Sequence, residues 1–349
     1  PRATRRPPTV SDRPSEGSGR PAGPDPTAGG RVPAALDGER LDRAVAIMAG
    51  CSRAEAGRWV DEGRVLVDGH VATTRSQRLA EGMDLDVDAD PVLPPEPLRA
   101  NPAVELVVVH EDPDVVVVDK PAGLVVHPGA GGETATLAHG LLARYPEMAT
   151  VGDPERPGVV HRLDVGTSGL LMAARTVEAY ESLVAQLSER KVERRYDALV
   201  WGWLDSLRGR VDAPIGRSRR HRTRMAVVAD GRPAVTDFEV VAAWRQPAEV
   251  SQLSCRLLTG RTHQIRVHLA HRRFPLVGDP VYGGRLKLPA GASEELKTLL
   301  REFPRQALHA RKLAFLHPAS GEAVEFRAPL PDDLLLLIDY LRDDHEVMR

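Results

Sequence analysis

Cysteine is nearly missing from this chain: Cys51 and Cys255 are the two in 349 residues. That excludes a disulfide framework and a four-cysteine zinc site, and it is compatible with a reducing compartment. No run of about 18 apolar residues occurs, and the N-terminus lacks the apolar core of a signal peptide, so secretion and membrane insertion are disfavoured. A cytoplasmic protein without a membrane partner is expected. An excess of positive charge is missing too: 47 Lys+Arg stand against 49 Asp+Glu. Any nucleic-acid site must therefore be local. Lysine is scarce, with Lys120, Lys191, Lys287, Lys297 and Lys312 alone and arginine supplying the remaining cations. Arginine's planar fork suits phosphate, but a general compositional bias would look the same, so position must carry the argument. The length suggests two or three units at about 150 residues each.

Residues 1–37 read as a disordered tail, since the first 36 hold 8 Pro, 5 Gly and six Arg with almost no large apolar side chain. From Glu39 the pattern changes. Leu41, Val45 and Met48 fall at helical spacing, Gly50 ends that helix, and Ser52-Arg-Ala-Glu55 reads as a capping box opening a second helix through Trp59 and Val60. Val65, Val67 and Val71 alternate around an Asp68-Gly69 turn, a hairpin signal. Arg40, Arg43, Arg53, Arg58 and Arg64 surround the helix pair and form a candidate phosphate-contacting face. The run LDRAVAIMAGCSRAEAGRWVDEGRVLVDGHVA resembles the small RNA-binding domain named after ribosomal protein S-four, which implies a small α/β RNA-binding domain over 38–90.

Five prolines between 91 and 102 indicate a semi-rigid linker, taken as 91–103. A second domain, 104–342, follows. Residues 104–109 and 115–118 are β-branched runs typical of buried strands. Helical patterns at 177–190 and 294–301 alternate with strand patterns at 195–200 and 250–257. The expected class is α+β, with a mixed, largely antiparallel sheet.

The densest chemistry lies in HRLDVGTSGLL at 161–171. Asp164 is flanked by His161 and Arg162, is followed by Gly166 and Gly169, and precedes an apolar strand at 170–174. A lone loop aspartate is usually a cap or turn former, but at a loop-to-strand junction a carboxylate is also placed to act as nucleophile or base. The block resembles the signature of the pseudouridine synthases that modify ribosomal and transfer RNA. DKPAGLVVHPG (119–129), RRYDALVWG (194–202), GRTHQIRVHLAH (260–271) and GDPVYGG (278–284) match the same family in the expected order. With the preceding domain, the resemblance covers roughly 38–342.

The resemblance implies a pseudouridine synthase fold, base flipping without a cofactor, and large-subunit (23S) ribosomal RNA or an assembling subunit as partner of a monomer. It implies that Asp164 is the catalytic carboxylate, that Tyr196 lies against the flipped uracil and helps move the proton at carbon 5, and that Arg266 pairs with Asp164. Arg162 would occupy the space the base vacates. His161, Thr167, Arg261, His263, Gln264 and, as a packing residue, Leu313 would complete the substrate pocket. The basic run Arg217, Arg219, Arg220, Arg222 and Arg224 would present phosphate-binding forks on a loop over the cleft. A metal at His263, His268 and His271 is disfavoured, because no Cys or carboxylate lies within the block and Arg261 and Arg266 would repel a cation; these are expected to be hydrogen-bonding, RNA-facing histidines beside a strand, with His263 in a turn. Two rival readings are a non-catalytic RNA-binding assembly factor on the same fold and a metal-dependent nuclease or deaminase.

Overall fold

The computed structural model describes residues 29–88, 98–129, 132–246, 248–284, 286 and 288–347. Two compact units make up the chain, Pro1–Pro94 and Pro95–Arg349.

In the first unit, β1 (Gly30–Arg31), α1 (Leu41–Met48), α2 (Arg53–Asp61), β2 (Val65–Val67), β3 (His70–Val71) and β4 (Asp84–Val87) build a helix pair and a four-stranded sheet of order β1-β4-β2-β3. The capping box forms as read: Ser52 Oγ accepts the Glu55 N–H, and the Glu55 carboxylate accepts the Ser52 N–H. Val67 pairs with His70 across a two-residue turn in which Asp68 (φ 50°) and Gly69 (φ 74°) both take left-handed backbone, the geometry that matches strand twist in a tight hairpin. Leu41, Val45, Trp59, Val65 and Val87 close a core of their own.

One boundary needs correction. The tail was expected to run to 37, yet Gly30–Arg31 pair with β4, and Val32 and Leu36 are buried in this core. Two apolar side chains suffice to anchor a segment that composition alone marks as unstructured. The rest of the expected tail, 1–28, lies outside the described residues.

The second unit contains β5 (Val108–Glu111), β6 (Val115–Lys120), α3 (Leu137–Arg144), β7 (Ser168–Ala174), α4 (Val177–Ser188), β8 (Glu193–Trp201), β9 (Arg208–Asp212), β10 (Ile215–Arg217), β11 (Met225–Val227), β12 (Val235–Trp244), β13 (Val250–Leu257), α5 (Gln264–His271), α6 (Glu294–Glu302), β14 (Leu308–Leu316), β15 (Ala323–Arg327) and α7 (Asp332–Val347). A nine-stranded sheet runs β5-β6-β7-β14-β8-β13-β12-β9, with β15 added on β14. Every pairing is antiparallel except β7 with β14, where His309 lies opposite Ser168. Their close approach explains Gly169, whose φ is 111° and where a Cβ would come within 2.4 Å of the Ala310 carbonyl oxygen. The all-valine stretch of β6 and the whole of β7 are buried, as continuous apolar runs require.

Two more boundaries shift. Residues 98–103 of the expected linker belong to this unit: Leu98 packs on its core, and the Asn101 N–H donates to the His139 carbonyl at 3.0 Å. Residues 91–97 lie outside the described residues. At the far end α7 continues past 342 to Val347, carrying its apolar stripe of Leu334, Leu337, Ile338 and Leu341 into the core formed with α6. Among the described residues no helix is long and apolar enough to cross a membrane.

The turn from β5 to β6 is organised by Asp112. Its carboxylate accepts the N–H groups of Asp114 and Val115, both at 2.8 Å, and faces Nε2 of His110 at 2.6 Å and of His317 at 3.0 Å. Burial works to raise its pKa, but these donors outweigh burial and bring it down to about 2.

Candidate active site

A cavity of about 370 Å³ opens where the loop before β7, strand β8 and the N-terminus of α5 converge. Asp164, Tyr196 and Arg266, from three separated sequence blocks, all line it. Arg162, His161, Thr167, Arg261, His263 and Gln264 do so as well.

The Asp164 loop is fastened from several directions. Its own turn closes through the Thr167 N–H and the Asp164 carbonyl at 2.9 Å. The Val165 carbonyl accepts from the Gly123 N–H at 2.8 Å and from the buried Lys120 ammonium at 3.3 Å. Arg305 Nη1 donates to the Gly166 carbonyl at 3.1 Å, and Gln306 Nε2 to the Thr167 hydroxyl at 3.1 Å. Lys120 also donates to the carbonyls of Pro121 and Leu124, both at 2.8 Å; burial pulls its pKa down to about 8.

Arg266 Nη1 donates to Asp164 Oδ2 at 3.0 Å. The other side of the same guanidinium meets Asp279, Nε to Oδ2 at 2.8 Å and Nη2 to Oδ1 at 3.0 Å, and Asp279 Oδ1 further accepts the N–H groups of Val281 and Tyr282. Burial opposes both charges; for Arg266 it is overcome first by Asp279 and then by Asp164, so its pKa rises, while the Asp279 pKa falls because Arg266 and two N–H groups outweigh its burial. The arginine is thus fixed in a planar fork before any substrate arrives. Above it lies the Tyr282 ring, 5.1 Å from the guanidinium carbon. The Tyr282 hydroxyl accepts the Met225 N–H at 3.0 Å and meets His263 Nδ1 at 2.9 Å. His263, in left-handed backbone at φ 57° just before α5, brings Nε2 to 4.0 Å from Asp164 Oδ1. Burial lowers its pKa against the pull of Asp164.

Tyr196 is buried, which raises its pKa; the Arg194 guanidinium works the other way and Asp164 adds to the rise. His161 Nε2 accepts the Met172 N–H at 3.1 Å, and its pKa is pushed down to about 3 by burial with Arg194 adding, so the ring is neutral.

Several expected roles change. Gln264 spends its whole amide internally: Oε1 accepts from the Thr259 hydroxyl and the Arg261 N–H, and Nε2 donates to the Val235 carbonyl and the Thr236 hydroxyl. It shapes the cavity wall and has nothing left for substrate. Leu313 is not in the pocket; it is 1% exposed in a core with Val115, Val117 and Leu170, and Leu308, five residues earlier on β14, lines the cavity instead. Gln264–His271 of this block form α5, which packs beside β11 and β12 and is buried on almost every side from Gln264 to Leu269, erasing the helical apolar period; His263 lies in the turn just before it. His268 therefore faces no RNA: it is fully buried, with Nδ1 at 2.9 Å from the Thr236 hydroxyl and Nε2 at 2.9 Å from the Ala213 carbonyl. Cavity residues not anticipated include His127, Arg156, Arg194 and Leu308. His127 and Arg194 stand inside recognised blocks, and Asp279 and Tyr282 inside GDPVYGG, so block membership was the available signal.

The basic run ends β10 at Arg217 and continues as the loop that joins it to β11. Arg217, Arg219, Arg220, Arg222 and Arg224 are all exposed, with Arg219 paired to Asp230 at 3.2 Å. In the first unit the arginines are less open than expected. Arg40 and Arg53 converge on the buried Asp42, Arg43 pairs with Glu39, and Arg58 and Arg64 lie within 3.9 Å of Glu55, Glu62 or Asp88.

A family model described as RNA pseudouridylate synthase matches residues 114–271, and one described as S4 domain matches 39–85. The chain belongs to the pseudouridine synthase family. It is 46% identical over 316 residues to the Ribosomal large subunit pseudouridine synthase D of Pseudomonas aeruginosa, covering 90% of this chain and 96% of that protein. The protein of the same name from Xanthomonas campestris is 48% identical over 314 residues, covering 90% and 92%. Of solved structures, Human RNA Pseudouridylate Synthase Domain Containing 4 superimposes with a TM-score of 0.52 at 25% identity, covering 67% of this chain and 92% of that one. Human RNA Pseudouridylate Synthase Domain Containing 1 gives 0.50 at 26%, covering 70% and 97%.

Proposed function

We propose that this protein isomerises uridine to pseudouridine in large-subunit (23S) ribosomal RNA, with Asp164 as the catalytic carboxylate. The observation that carries the reading is the ion-paired row Asp164–Arg266–Asp279, which presents one aimed carboxylate in a cavity walled by Tyr196. The reaction breaks the bond from the sugar to nitrogen 1 and rejoins the ring through carbon 5; the proton leaving carbon 5 is balanced by one gained at nitrogen 1, so neither oxidant nor water is consumed. Asp164 supplies the negative charge, whether it adds to the sugar or base or takes a sugar proton, and Arg266 orients it. Tyr196 offers a ring for the flipped base and a protonated hydroxyl for proton transfer. Arg162, exposed at the cavity edge, fills the gap left in the RNA stack.

The first unit and the arginines of the β10–β11 loop supply phosphate contacts. The enzyme works as a cytoplasmic monomer on ribosomal RNA or an assembling subunit. A binding-only assembly factor would have no use for a carboxylate clamped in this way.

Ribosomal RNA from a strain lacking the enzyme, complemented with wild type or with Asp164→Asn, tests the reading. Mapped pseudouridines should return with wild type alone, while the variant still binds RNA. Restoration by Asp164→Asn to within tenfold of the wild-type rate would overturn the assignment.

A further inference from the structure

Among the described residues, Arg194 is a buried cation in this cavity without a counter-ion. It is 8% exposed, its Nε is buried with no hydrogen-bond partner, and among the described residues the guanidinium makes no ion pair or hydrogen bond. The contrast with its neighbours is sharp. Arg266 is shared by two carboxylates, Arg156 holds Asp153 at 3.0 Å, and Arg195, on the opposite face of β8, pairs with Glu193. Among the described residues, five arginines line the cavity against a single carboxylate, Asp164, which Arg266 already occupies.

A second donor stands in the same wall. Because His161 Nε2 accepts from the Met172 N–H, the proton of its neutral ring sits on Nδ1, and that atom is also buried without a partner. Gly260 keeps the guanidinium uncovered: a Cβ there would lie 3.0 Å from Arg194 Nη1. Burying an unpaired charge is strongly unfavourable unless binding supplies the partner. A uracil carbonyl would satisfy one N–H yet leave the charge uncancelled. A phosphodiester satisfies both, and its oxygens fit the guanidinium fork.

We propose that Arg194 seats a phosphodiester of the RNA, one of the two flanking the nucleotide delivered to Asp164. This rests on the reading of the cavity as the uridine site and adds which part of the substrate the uncompensated cation takes. The bound nucleotide would then be held at two points, the base beside Asp164 and Tyr196 and the backbone at Arg194, with the His161 Nδ1–H close by to share the same anion.

The test is a cycle on a synthetic fragment of ribosomal RNA in which the wild-type enzyme forms pseudouridine. The phosphates on either side of the target uridine are replaced one at a time by uncharged methylphosphonate, and Kd is measured at fixed salt for wild type and Arg194→Met. For one of the two positions, neutralisation should weaken wild-type binding by about tenfold or more, Arg194→Met should weaken binding to the unmodified RNA comparably, and both changes together should cost little more than either. Should the penalties multiply at both positions, Arg194 does not hold a phosphate. If thermal melting shows that Arg194→Met does not fold, Arg194→Gln enters the same cycle under the same criteria. Turnover of the unmodified fragment by wild type keeps the two ideas apart: no pseudouridine in any ribosomal fragment sinks the isomerase reading, whereas normal turnover with multiplying penalties sinks the Arg194 assignment alone.

Discussion

Arg266 and Asp279 meet fork to fork, with bonds of 2.8 and 3.0 Å, and this leaves Nη1 as the nitrogen directed at Asp164. The orientation of the Asp164 carboxylate is therefore set from a loop more than one hundred residues further along the chain.

Asp279→Asn keeps the shape but removes the buried charge, so Arg266 loses its anchor and Asp164 its alignment. Breaking a buried pair from one side costs about 3 kcal/mol or more of stability. In single-turnover assays at saturating RNA the rate should fall about 10- to 100-fold while Kd for RNA moves little. Arg266→Lys, which cannot span both carboxylates, should be slower still than Asp279→Asn, and Arg266→Ala slowest. A rate for Asp279→Asn within twofold of wild type would show that the clamp does no positioning.

The Tyr282 hydroxyl joins the Met225 N–H, where the basic loop re-enters β11, to His263 beside Asp164. Tyr282→Phe retains the ring over Arg266 and removes that joint. The expected result is a loss of about 1 to 2 kcal/mol in stability and a drop in kcat/KM larger than that in the single-turnover rate, because the loop loses its seat. An equal drop in both would place the hydroxyl in the chemistry instead.

Since the first unit and the second have separate cores, removing residues up to 88 should leave a folded catalytic unit. Its affinity for ribosomal RNA should fall, and the slope of log Kd against log salt should flatten by about one for each phosphate that is no longer neutralised. An unchanged slope would mean that the arginines around α1 and α2 keep their carboxylates and never touch RNA.

Asp112 gives a pH signature independent of catalysis. Its folded pKa of about 2 lies below the unfolded value of about 3.9, so the stability it contributes is present above pH 4 and is lost as pH falls toward 2. Asp112→Asn should cost about 1 to 3 kcal/mol at pH 7, measured by urea unfolding. That deficit should shrink steadily between about pH 5 and pH 3. A deficit that stays constant over this window would assign the effect to packing.

Much of this was legible in the chain. Ser52 and Glu55 specify their capping box locally, Asp68-Gly69 its turn, and the valines of β6 a buried strand, because in each case the physics acts between neighbours. Asp164, Tyr196 and Arg266 were readable through ordered blocks, and the cavity gathers all three. What escaped depends on partners far away in sequence. Gln264 looked available for substrate until Thr236, Val235 and Thr259 came to meet it, and Leu313 differs from Leu308 only by the sheet face it takes. The helix α5 escaped because burial on nearly all sides leaves no polar stripe to mark its period.

The insertion of β14 between β7 and β8 has a consequence for how the enzyme is born. The Asp164 loop feeds β7 and Tyr196 sits on β8, and two strand spacings, about 9.5 Å, separate those strands until β14 fills the gap. On the translating ribosome β7 and β8 emerge more than one hundred residues before the strand that joins them, so the sheet waits on a late, non-local pairing. A chain stopped at Gln306 would carry every cavity residue but Leu308, yet it should form no pseudouridine. Activity thereby waits on a strand made more than one hundred residues after the Asp164 loop and Tyr196.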